Sequence, residues 1–93
     1  MLVKVKAALR IRTDAFDGEL LDLIEAALAD LRIAGVTEAA QTDPLIARAV
    51  ITYCKLHFGD AGDEYDRLKA AYDEQKAQLS MATGYTDWRE TDV

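Results

Sequence analysis

The stretch FDGELLDLIEAALADLRIAGV, residues 16–36, decides the fold class. Phe16, Leu20, Leu23, Ile24, Ala27, Leu31 and Ala34 recur at steps of three and four, the period of an α-helix with one apolar side. Asp22, Glu25 and Asp30 fall on the other side and are expected to face outward. Thr13 or Asp14 stands where an N-cap belongs, and Asp17 and Glu19 sit near the positive end of the helix. Gly35 suits the left-handed position that closes a helix. About twenty residues of helix span about 30 Å, the full width of a small domain.

Reading outward from this helix gives three more. Residues 36–42 form a linker, after which Asp43 caps a third helix whose Pro44 fits the first turn, where a missing N–H costs nothing. Leu45, Ile46, Ala49, Val50, Ile51, Tyr53, Cys54, Leu56 and Phe58 leave that helix little polar surface, so it is expected at the centre of the molecule. Gly59 ends it, and Asp60 to Gly62 make a turn. A fourth helix follows from about Asp63 to Met81, with a narrow stripe of Tyr65, Leu68, Tyr72 and Leu79 and supporting pairs Asp63–Arg67 and Lys69–Asp73. Upstream, Leu2 to Arg10 is ambiguous, because Val3, Val5, Ala7, Leu9 and Ile11 alternate as a strand would. Leu2, Val5 and Leu9 also share a helix face, and Ala7-Ala8-Leu9-Arg10 has helical propensity, which decides for helix. The expectation is an all-α small helical bundle: one short N-terminal helix, three longer helices and an extended C-terminal tail. It forms a single domain over residues 1–93, with the bundle at about 2–81 and the tail at 82–93.

Ninety-three residues can bury a core of their own, but a thin one. Alanine supplies much of the apolar fraction, and a small core leaves apolar surface for a partner subunit to cover. The net charge of −6 is unevenly spread: residues 1–12 hold four bases and no acid, while the rest holds seven bases against 17 acids. A basic end on an acidic body suits contacts between copies, although Lys4, Lys6, Arg10 and Arg12 read equally well as a solvated first turn. The acidic body argues against sequence-specific DNA binding, which shows a basic footprint. The single Cys54 cannot close an internal disulfide and fits a reducing compartment. No stretch has the length and apolarity of a membrane span, and no apolar segment at the N-terminus reads as a signal peptide.

Tests for chemistry find little. Cys54 and His57 share a helix face, but two ligands do not make a structural zinc site, and a buried small side chain beside a helix-end histidine is the simpler reading. Asp60, Asp63, Glu64 and Asp66 lack the ligand order of a calcium loop. Nothing marks a pair of carboxylates whose environments separate their roles as acid and base. No phosphate-binding glycine loop is present, and no catalytic residue, cofactor or metal ligand is assigned: the chain is expected not to be an enzyme. Tyr85 and Trp88 stand in the polar tail. Such rings anchor partner proteins at low entropy cost, with a tail folded back on its own bundle as the alternative.

The residues themselves resemble the head–tail connector, or head-completion adaptor, family of tailed bacteriophages. The resemblance rests on VKAALRI at 5–11 with its Val3-Lys4 lead-in, on FDGELLDLIEAALADLRIAGV at 16–36 and on DPLIARAVITYCKLHFGD at 43–60. It extends to the Tyr65/Tyr72/Leu79 spacing closed by Gly84-Tyr85, so it covers about residues 3–85. It implies a structural virion assembly protein, encoded by phages and prophages. Such a subunit forms a ring of about a dozen copies beneath the portal protein, joins the DNA-filled head to the next neck or tail-completion protein, and extends the channel through which double-stranded DNA passes non-specifically. The implied location is the head–tail junction of the virion, and the bacterial host cytoplasm before assembly. In that setting Lys4, Lys6, Arg10 and Arg12 are candidates for contacts between subunits, and Tyr85 and Trp88 for docking to the portal or neck. The competing class is a small acidic regulatory module that binds one partner or acts as a DNA mimic.

Overall fold

The computed structural model describes residues 1–36, 43–58 and 62–81. Helix α1 runs Leu2–Leu9, α2 Asp17–Ile33, α3 Pro44–His57 and α4 Tyr65–Met81, with a single 3₁₀ turn at Gly62–Glu64 leading into α4. Every regular element among the described residues is helical, as the periodicity requires.

Helix α3 is central and packs against α1, α2 and α4. Its sequence explains this, since Ile46, Ala47, Ala49, Val50, Thr52, Cys54 and Leu56 are all buried and occupy most of its circumference. From α2 come Leu20, Ile24, Ala27 and Leu31, from α1 Val5, and from α4 Tyr72 and Leu79. Thr52 is the one polar member, and its hydroxyl donates to the Arg48 carbonyl one turn back at 3.0 Å, so nothing polar is left unpaired there. The narrow stripe of α4 buries only Tyr72 and Leu79, as expected of a helix laid on the outside of a bundle.

The helix ends carry much of the local specification. Asp43 caps α3 as expected: its Oδ1 accepts from the Leu45 and Ile46 amides at 2.9 and 3.3 Å. Helix α2 closes in a Schellman motif, with the Val36 amide donating to the Leu31 carbonyl and the Gly35 amide to that of Arg32, both at 2.9 Å. Gly35 takes φ +99°, which only glycine adopts cheaply, and Val36 and Leu31 are both buried, giving the apolar contact that accompanies the motif. Helix α1 closes in the same way, with Ile11 donating to Lys6, but here Arg10 occupies the left-handed position at φ 61°.

Three expectations are corrected. Neither Thr13 nor Asp14 caps α2: the cap is Phe16, without a side-chain bond, and the helix starts at Asp17. The Asp14 carboxylate is held by Lys6 at 2.9 Å, and the Thr13 hydroxyl accepts from Ala15 at 3.2 Å, too early to close the helix. Phe16 itself lies at the edge of the core, its ring edge-on to Phe58 with centroids 5.4 Å apart. Asp30 does not face outward but turns toward α4, where Tyr72 and Lys76 reach it. In the fourth helical segment, Arg67 pairs with Glu64, while the Lys69–Asp73 pair forms at 3.0 Å as expected.

Candidate functional site

The chemistry-bearing residue types are absorbed into structure. Cys54 is fully buried, and burial pushes its thiol up to about 11, so it is a poor nucleophile at neutral pH. His57, one turn on, is exposed with its ring against Tyr53 at 4.3 Å, so the two do not meet as a pair. Among the described residues no group of three His, Cys, Asp or Glu side chains is placed to hold a metal. Asp63, Glu64 and Asp66 lie exposed on the 3₁₀ turn and the start of α4. Asp60 and Gly59 lie outside the described residues.

The densest polar cluster ties α2 to α4. The Tyr72 hydroxyl donates to Asp30 Oδ2 at 2.6 Å, and Lys76 Nζ reaches the same oxygen at 3.2 Å while lying 5.3 Å from the Tyr72 ring centroid. Tyr53 from α3 packs edge-on against Tyr72, with centroids 5.3 Å apart. Partial burial pushes the Asp30 carboxyl up, but the hydrogen bonds from Tyr72 and Lys76 outweigh it and hold the group below its ordinary value. Burial first, then the bond to Asp30, pushes Tyr72 far up, so it stays a neutral donor. Sequence periodicity could not find this cluster, because Asp30 lies one position off the apolar stripe and its partners are more than forty residues away.

The surface carries the remaining candidates. Lys4, Arg10 and Arg12 are exposed at the N-terminal end, whereas Lys6 is drawn inward, with ion pairs to Asp14 and Asp17 at 2.9 Å each. The side-chain hydrogen bonds to Asp14 and Asp17 raise the Lys6 ammonium above its ordinary value. Glu19, Asp22 and Glu25 recur at steps of three on the outward side of α2 and are all exposed. Large apolar side chains are exposed as well, among them Val3, Leu21, Ile33, Leu45 and Met81, with Val3, Ile33 and Met81 at 80% or more. These side chains are distributed over all four helices. Tyr85 and Trp88 lie outside the described residues.

Comparison with known families decides what kind of protein has these faces. A family model described as phage connector protein matches residues 1–86, nearly the whole chain. The chain belongs to the phage connector protein family. No curated protein and no solved structure matches it. The connector is therefore a structural protein of bacteriophage assembly and a virion component, and the family implies association with the portal and other virion components. No helix among the described residues is long and apolar enough to cross a membrane.

Proposed function

We propose that the connector, acting as one helical domain over residues 1–93, forms a closed ring of about a dozen copies beneath the portal at the head–tail junction. The ring extends the DNA channel and offers its lower face to the next neck or tail-completion protein. Subunits are made in the host cytoplasm and are recruited to filled heads. The observation that carries this reading is the family match over residues 1–86, and the exposed charges of the subunit agree with it.

A DNA channel must let the duplex pass without holding it. Lysine and arginine on the wall bind phosphates and release counterions, which stabilises the bound state, whereas carboxylates repel the backbone. The exposed carboxylates Glu19 and Asp22 on α2 are candidates for part of such a wall. Lys4, Arg10 and Arg12 then serve contacts with an acidic face of a neighbouring subunit. Lys6 belongs to the same basic end but is engaged by Asp14 and Asp17 within its own subunit, so its contribution is to hold α1 in place. The tail carrying Tyr85 and Trp88 docks on the portal or the next ring.

Changing Lys4, Arg10 and Arg12 together to glutamine tests the first contact. The variant should keep its helical circular dichroism and should need a higher protein concentration to assemble in analytical ultracentrifugation. Unchanged assembly would remove the basic end from the interface. Truncation after Met81 should abolish co-sedimentation with the portal without changing the fold, and retained binding would remove the tail from portal docking.

A further inference from the structure

Two grooves on this subunit each carry one acid and one base in their lining. The first lies between α1 and α2 and is lined by Met1, Leu2, Leu21 and Leu28 together with Glu25 and Arg32. The second, of about 440 Å³, lies between α3 and α4 and is lined by Leu45, Ala71 and Leu79 together with Arg48 and Glu74. Each combines leucine side chains with one acid and one base, and Gln75 and Gln78 add polar lining to the second. All four charged residues are exposed. The subunit's ion pairs are built from other groups: Lys6 with Asp14 and Asp17, Arg67 with Glu64, Lys69 with Asp73, and Lys76 with Asp30. None of the four groove charges joins an ion pair among the described residues.

Glu25 and Arg32 are two turns apart along α2, which is about 10 Å. Arg48 on α3 and Glu74 on α4 line the second groove from the two helices that form it. Each groove therefore offers one acid and one base to a single partner face.

We infer that the α1–α2 face of one copy seats on the α3–α4 groove of a second copy, with Glu25 opposite the neighbour's Arg48 and Arg32 opposite its Glu74. This rests on the ring reading and gives it a register. Burial of Leu21, Leu28 and Leu45 supplies the attraction, and the two crossed charge pairs fix the orientation. The faces are different, so the contact is head-to-tail and an open oligomer keeps one free face of each kind until the ring closes. A two-fold pairing of α1–α2 with itself also matches Glu25 to Arg32, but it stops at a dimer and leaves the α3–α4 groove open.

Charge exchange across the contact tests the assignment by native mass spectrometry of the full chain. Glu25→Arg alone and Arg48→Glu alone should each raise the concentration needed for assembly by about tenfold or more, and the two combined should restore it. Rings that form equally well in both single variants would overturn the pairing while leaving the ring itself standing. Rescue of Glu25→Arg by Arg32→Glu rather than by Arg48→Glu would overturn it in favour of the two-fold dimer. A wild-type chain that stays monomeric with and without the portal would remove the ring reading and this contact with it. As a measurement independent of charge, the Leu21→Cys, Leu45→Cys double variant treated with a short bismaleimide should give a ladder of covalent multimers. Each single variant should give none beyond a dimer, and assembled rings of the double variant without a ladder would overturn the pairing.

Discussion

At the scale of single residues, the account turns on Asp30. It reads as a solvent-facing acid in the helical pattern of α2, yet it accepts hydrogen bonds from both Tyr72 and Lys76 of α4. Helical periodicity leaves the borders of a face open, and a half-buried carboxylate at the border of the apolar stripe is where that assignment fails. Removing the hydroxyl with Tyr72→Phe should cost about 2 kcal/mol, the range for a hydrogen bond to a charged group. The pH dependence has a defined sign. The Asp30 carboxyl lies below its ordinary value of 3.8 in the folded protein, so its contribution is fully present above that value and is lost as pH falls through the folded-state pKa. The gap in urea midpoint between wild type and Tyr72→Phe should therefore narrow between about pH 5 and pH 2. A gap that stays constant over that interval would mean that the Tyr72 hydroxyl acts through packing alone.

At the scale of elements, the four helices were legible because their apolar periods are long relative to the chain. The Asp43-Pro44 start of α3 and the Gly35 end of α2 were legible too, since cap chemistry is local. The start of α2 was not. Asp14 is a good capping residue by type, but Lys6 of α1 takes its carboxylate, and no local pattern predicts a contact eight residues back. Helix α1, only eight residues long, is too short to persist alone and is held by burial of Val5 and by the Lys6 ion pairs. Its alternating sequence fits a strand as well as a helix, and the choice is made by the surface on which it lands. The two Schellman ends give a paired prediction of opposite sign. Arg10→Gly relieves a side chain held at φ 61° and should stabilise the fold by about 1 kcal/mol, whereas Gly35→Ala places a side chain at φ +99° and should destabilise it by about 1 kcal/mol or more. Chemical denaturation of both variants checks this. Equal effects of one sign would show that the two turns are not doing the same job.

At the scale of the whole molecule, the sequence and structure agree on an all-helical subunit, and its contact surface is part of the proposal. The residues singled out from sequence for that surface divide into three groups. Lys4, Arg10 and Arg12 are exposed and available, Lys6 is used within the subunit, and Tyr85 and Trp88 fall outside the described residues. The groove charges Glu25, Arg32, Arg48 and Glu74 were not legible as a set, because what joins them is that they line two grooves. That property appears only once the helices are packed.

The measurement that bears most directly on the central claim is native mass spectrometry of the full chain over a concentration series, with and without the portal protein, and with negative-stain images at the highest concentration. The account predicts closed rings of one size, about a dozen subunits, formed alone or on the portal. A strict monomer under every condition, portal included, would contradict it.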